Sequence, residues 1–169
     1  IALFLCLLVA ACGRQELDGL AYGSQDQPCI LMHANLGITF DLAAMASANP
    51  GLRLARFSSE FGVSENATNR PCHADFWVLV DGEVRFSRLG VSEKGLAGQI
   101  EITLAETDRF LTLMTTDGGD PDGEVSPHRA TDSDWCVFAE PNLELTPTAG
   151  AGRNGEDKTG LPVGQENQM

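Results

Sequence analysis

The chain has 169 residues, 43% of them hydrophobic, with 24 acidic side chains against 11 basic ones and a formal net charge of −13. That length fits one domain with its own core, and the apolar content argues against wholesale disorder. The acidic balance argues against nucleic acid and against an electrostatic hold on anionic lipid, because both draw their affinity from clustered Lys and Arg.

Residues 1–11, IALFLCLLVAA, carry no charge. A membrane-spanning helix needs about 20 apolar residues, so this run is too short for one and fits the hydrophobic stretch of a secretory signal. Neither Met nor a basic residue precedes it, so the basic start of the signal is expected upstream. The run ends in Val9-Ala10-Ala11-Cys12, which resembles the lipobox of bacterial lipoproteins. The resemblance implies cleavage before Cys12 and a lipid on its thiol. The alternative is ordinary cleavage near Ala11. Either way the mature chain is exported, and it meets a membrane only through the anchor.

Residues 12–28 are polar and contain glycine, and read as a tether. Beyond them lie Cys29, Cys72 and Cys136, an odd number that allows one disulfide and a free thiol in an oxidising compartment. No CxxC occurs, and Cys72-His73 are neighbours that would point to opposite faces of a strand, so zinc is not expected.

From Ile30 onward short apolar runs recur between turn signals. Strands are predicted at Ile30–His33, Gly37–Leu42, Leu52–Gly62, Asp75–Val80, Glu83–Leu89, Gln99–Leu104, Phe110–Thr116 and Trp135–Leu145. Ile100, Ile102 and Leu104 alternate with Glu101 and Thr103. Phe76, Val78 and Val80 alternate with Trp77 and Leu79, which predicts a strand buried on both faces. Asp81-Gly82 between two strands is a hairpin signal, because both turn positions call for positive φ. Asp41–Ala48 predicts a turn or two of helix, stopped by Asn49-Pro50-Gly51. Many short strands with one short helix predict an all-β sandwich over 29–146. Residues 147–169 hold little large apolar surface and read as a disordered tail or linker.

Four motifs occur in order: His33-Ala34-Asn35-Leu36-Gly37, Asp75-Phe76-Trp77-Val78-Leu79-Val80-Asp81-Gly82, Thr116-Asp117-Gly118-Gly119-Asp120 and Asp134-Trp135. Together they resemble the NPCBM domain, a "novel putative carbohydrate-binding module" found beside some glycoside hydrolases. The resemblance covers about residues 29–146. It implies a galactose-binding-like jelly-roll sandwich and a glycan ligand of galactose type. The chain departs from the pattern at Cys72 and Cys136 and in the stretch 124–131, which lengthens the loop before Asp134-Trp135.

Six carboxylates (Asp117, Asp120, Asp122, Glu124, Asp132 and Asp134) crowd residues 117–134 against a single basic residue, Arg129. Oxygen ligands around glycines suit calcium, and Asp117, Asp120 and Asp122 are the candidate ligands for a structural ion. No other cofactor is expected. A carboxylate pair for glycoside hydrolysis needs a cleft that a short sandwich rarely builds, and GxSxG and HExxH are absent. The chain is therefore read as non-catalytic.

Sugar binding uses an aromatic ring against the C–H face of a pyranose, with a few polar groups fixing the hydroxyls. Trp135, Asp134, His33, Asn35 and Arg129 are the candidate ligand-binding residues. Trp77, mid-strand among apolar neighbours, is expected in the core, and Tyr22 falls in the tether. The rival reading is a structural or protein-interaction sandwich on the cell surface with no sugar ligand. The anchor is directly testable. The chain carried behind a complete signal in a bacterial host should partition into detergent, and Cys12→Ser should send it to the aqueous phase. Equal partitioning of the two would remove the lipid.

Overall fold

Asp81 and Gly82 both adopt positive φ, 52° and 84°, and they turn strand β7 (Ala74–Val80) into β8 (Glu83–Val91). The hairpin expected from the Asp-Gly pair is therefore formed. Asp81 does more than turn. Its carboxylate accepts the backbone N–H groups of Arg109 (3.1 Å) and Phe110 (2.8 Å), which pins the start of β10 (Phe110–Thr116) beside β7.

The computed structural model of the protein describes residues 2–4, 14–67, 71–118 and 133–148. The remaining strands are β1 (Ala2–Phe4), β2 (Gln15–Leu17), β3 (Leu20–Tyr22), β4 (Cys29–Met32), β5 (Leu36–Asp41), β6 (Leu52–Val63), β9 (Gly98–Thr103) and β11 (Cys136–Pro147). One antiparallel sheet has the order β5-β10-β7-β8. The other has the order β1-β11-β6-β9, with β4 also paired to β11. The protein is an all-β sandwich, as the recurrence of short strands predicts.

Among the described residues there is one α-helix, α1 (Leu42–Ser47), which follows β5, with the Asp41 side chain accepting the Ala44 N–H at 2.9 Å as its N-cap. Leu42 is its buried residue, and Asn49-Pro50-Gly51 ends it with Gly51 at φ 82°. Among the described residues no helix is long and apolar enough to cross a membrane.

The alternating patterns decide which side chains meet between the sheets. Phe76, Val78 and Val80 from β7 and Leu111 and Leu113 from β10 face Phe57, Phe61, Ile100, Ile102, Phe138 and Leu143. Ile100, Ile102 and Leu104 are buried while Glu101 and Thr103 are exposed, as their alternation requires. The rings of Phe61 and Phe76 lie 5.0 Å apart, and those of Phe76 and Phe138 5.5 Å apart.

Three expectations are corrected. First, β7 is fully buried on one face only: Trp77 and Leu79 are half-buried on the outer face of their sheet. Hydrophobic residues on both faces of a strand do not require a second layer above it. Second, residues 15–22 of the expected tether form the β2–β3 hairpin, with Leu17 and Tyr22 buried. The hairpin packs with Cys29, Val137 and Ala139 in a second, smaller apolar cluster. Its apolar content is only three large side chains among polar ones, too few to show as a strand pattern. Third, Cys29, Cys72 and Cys136 are all buried free thiols. Burial pushes the Cys72 thiol above its ordinary range and the Cys136 thiol well above it, which disfavours the thiolate at both. β11 also runs to Pro147, one residue into the expected tail. Residues 149–169 lie outside the described residues, as do 5–13, including Cys12.

The register of β9 can be tested. Ile102→Ala should cost about 2–5 kcal/mol, as truncation of a buried aliphatic chain does, whereas Thr103→Ala should cost less than about 1 kcal/mol. Equal urea midpoints for the two variants would show that the register is wrong.

Candidate functional site

Antiparallel pairing carries several strand connections to one end of the sandwich. The turn at 33–35 leads into β5, and residues 71–73 lead into β7. Residues 117–118 leave β10, and 133–135 lead into β11. The β8–β9 connection arrives at the same end, because Val91 pairs with Ala74. Four of the five candidate ligand-binding residues, His33, Asn35, Asp134 and Trp135, meet there.

Thr115 organises the first of these turns. It is fully buried; its hydroxyl donates to the His33 carbonyl at 2.9 Å, and its own carbonyl accepts the Asn35 N–H at 2.8 Å. Asn35 sits at φ 65°, a left-handed conformation that asparagine tolerates better than most side chains. With the backbone tied down, the His33 and Asn35 side chains remain exposed.

Trp135 lies beside them. Its carbonyl accepts the Ser64 N–H at 2.9 Å. Its ring is half-buried, packs against the core and meets the His33 ring edge-on, centroids 6.3 Å apart and planes at 73°. The pair forms an aromatic edge with imidazole nitrogens and the Asn35 amide nearby, groups suited to a hydroxylated ligand with an apolar face.

Asp134 does not offer its carboxylate to solvent. It is buried, and Oδ1 accepts the His73 N–H at 3.0 Å. Burial is the main cause that raises its carboxyl above the usual range, with the negative charge of Asp117 adding to it. The His73 N–H bond, and the charges of His73 and His33, act in the other direction. Its role in this geometry is to hold the approach to β7 against the approach to β11.

His73, not singled out from the sequence, is central here. Its Nδ1 is buried without a hydrogen-bond partner among the described residues. A Cβ on Gly118, itself at φ 67°, would come within 2.5 Å of Nδ1, so that glycine makes room for the ring. In sequence terms the adjacency of Cys72 and His73 argues only against a zinc site, and gives no sign of this packing role.

Trp77 is a second residue that the sequence places wrongly. It lies on the outer sheet face rather than in the core, and its indole N–H donates to Thr116 Oγ1 at 3.1 Å. The Thr116 hydroxyl donates to Asp75 Oδ2 at 2.8 Å, and Asp75 Oδ1 accepts the Gly90 N–H at 2.8 Å. This chain of bonds fixes the indole and ties β7 to both of its neighbours. The period-two pattern of β7 contains the signal, since Asp75, Trp77 and Leu79 share a face. Tyr22 is buried under the hairpin, and its hydroxyl donates to Glu60 Oε2 at 2.8 Å, which leaves no ring face for a ligand.

Arg129, Asp120 and Asp122 lie outside the described residues, and Asp117 is exposed at the end of β10. Among the described residues no group of three or more His, Cys, Asp or Glu side chains is placed to hold a metal.

No family model matches the chain, and no curated protein does. Solved structures do match. The chain is similar to the CBM51 module of Clostridium perfringens GH95, solved in complex with methyl-galactose, at TM-score 0.59 and 19% identity over 78% of this chain and 79% of that one. It is also similar to the CBM51-2 and INT domains of Clostridium perfringens ZmpB, solved with GlcNAc (TM-score 0.52, 12% identity), and covers 77% of this chain and 24% of that one. A third match is the tandem CBM51 modules of Sp3GH98, a family 98 glycoside hydrolase of Streptococcus pneumoniae, at TM-score 0.53 and 16% identity over 77% of this chain and 35% of that one. These likenesses establish a shared β-sandwich fold. The chain spans about a quarter to a third of the latter two.

The Asp134 environment sets a pH test. A carboxyl held above its ordinary range binds its proton more tightly in the folded than in the unfolded chain. Its contribution to stability is complete below the ordinary carboxylate range and is lost as pH rises through the raised folded value. Asp134→Asn keeps the acceptor for His73. The parent should therefore lose stability relative to this variant as pH rises from about 4, and the difference should level off once the folded carboxyl has ionised. Urea melts of both proteins across that range give the difference directly. A pH-independent gap would mean that Asp134 is not held in this way.

Proposed function

We propose that the chain is a non-catalytic glycan-binding module, exported and anchored through Cys12, that takes a galactose-type sugar at the loop end of its sandwich. The observation that carries this reading is the aromatic edge of Trp135 and His33, with the Asn35 amide beside it. It stands on a fold shared with a module solved in complex with methyl-galactose. Trp135 supplies apolar surface for the C–H face of the pyranose. His33 and Asn35 supply hydrogen bonds to its hydroxyls, and Thr115 and Asp134 hold the supporting backbone in place. Because the turn is fixed by buried groups, little ordering entropy is spent on binding.

Titration of methyl galactoside, with and without calcium, tests the site. His33→Ala changes an exposed ring and should leave the melting temperature near that of the parent while weakening binding about tenfold, or about 1.4 kcal/mol. Trp135→Ala should abolish saturable binding. If the parent binds no galactoside and no sugar on a glycan array, the glycan reading fails and the surface-interaction sandwich replaces it.

A further inference from the structure

The two sheets do not close on each other along one long side. β8 is the free edge of one sheet and β9 the free edge of the other. Between them lies a cleft of about 610 Å³, whose lining includes neither Trp135 nor His33. That volume falls in the range of small-molecule sites, roughly 300–1,000 Å³.

The floor of the cleft is aromatic. Phe61 and Phe86 meet edge-on with centroids 5.2 Å apart. Phe61 can seat there because residue 98 is glycine: a Cβ at that position would run into the ring. The rim carries Arg88, Glu93 and Gln99. Arg88 pairs with Phe76, whose side chain faces the core, so the arginine projects to the inter-sheet side at the free edge.

Arg88 is the basic side chain that lines the cleft; it and the exposed Arg85 make no ion pair among the described residues. Arg14, Arg53 and Arg56 are each in ion pairs with glutamates, and Arg109 lies over the Phe110 ring. No carboxylate among the described residues lies within ion-pair reach of Arg88, although the chain carries a net charge of −13. A guanidinium presents a planar fork of donors that fits one carboxylate in bidentate fashion. Glu93, the acidic group of the same cleft, opposes polyanions and accepts hydroxyl donors. Gln99 both donates and accepts. An apolar floor, a hydroxyl-bonding rim and a single cation together match a pyranose that bears one carboxylate.

We propose that the cleft between β8 and β9 is a second ligand site that takes a uronic-acid-type sugar, its carboxylate on Arg88 and its C–H face over Phe61 and Phe86. The choice of a sugar rests on the reading of the chain as a saccharide binder; the carboxylate comes from the cleft itself.

Calorimetric titration of the full chain with methyl glucuronide, methyl glucoside and methyl galactoside tests it. Methyl glucuronide should bind saturably and at least tenfold more tightly than methyl glucoside. Arg88→Gln, on an exposed residue, should remove that preference, and Gln99→Ala should weaken both sugars at the cleft. Equal affinities for glucuronide and glucoside, an unchanged preference in Arg88→Gln, or no glucuronide binding would each overturn the second site. Galactoside binding that persists in the last case confines the failure to the cleft. Loss of galactoside binding as well would carry the failure to the saccharide reading itself.

Discussion

The stacking of Phe76 between Phe61 and Phe138 ties the two sheets together, and the positions of the functional groups follow from it. Phe76 is fully buried and belongs to one sheet, while its ring partners belong to the other. Aromatic pairs at 5.0 and 5.5 Å, one tilted and one edge-on, bury large apolar areas and add directional preference. With Phe76 inward, period two forces Asp75 and Trp77 outward. A one-residue slip would bury both polar groups and expose Phe76. Asp75 is thereby placed where its two oxygens can hold Thr116 and Gly90.

The loop end illustrates a division of labour between buried and exposed polar groups. Thr115 and Asp134 are buried and hydrogen-bonded to backbone, and they hold the turns that carry His33, Asn35 and Trp135. Asp134 is held at the cost of a carboxyl driven upward by desolvation. A site whose support lies in buried side-chain-to-backbone bonds is set in position before a ligand arrives. Asp134 and Asp75 are positional parts of this end, since Asp134 is committed to His73 and Asp75 to Thr116 and Gly90.

The β2–β3 hairpin accounts for the unusual burial of β11. Cys136, Val137, Phe138 and Ala139 are all fully buried, so this part of the strand is covered on both faces. The inner face meets the main core, and the outer face meets Leu17 and Tyr22. Glu140, at φ 46°, then breaks the register, and β11 exchanges its edge partner from β4 to β1 across that irregularity. Phe61 has a comparable double role, since it joins the inter-sheet stack and also floors the cleft beside Phe86.

Periodicity and turn chemistry act over a few residues, and what depends on them was legible in the sequence. The eight main strands, the Asp81-Gly82 hairpin, the helix after Asp41 and the inward face of β9 all follow from alternation, positive-φ preference and capping. His33, Asn35, Asp134 and Trp135 could be named as candidates because they flank strand ends, but sequence could not say that Asp134 would be buried or that His33 and Trp135 would touch. Those outcomes depend on pairings between residues such as 73 and 134, or 33 and 115, that local pattern does not encode. The tether that became a hairpin, the tryptophan that left the core and the cleft at the two free edges share that cause. Burial is a property of what packs from elsewhere in the chain, so only the tertiary structure could decide it.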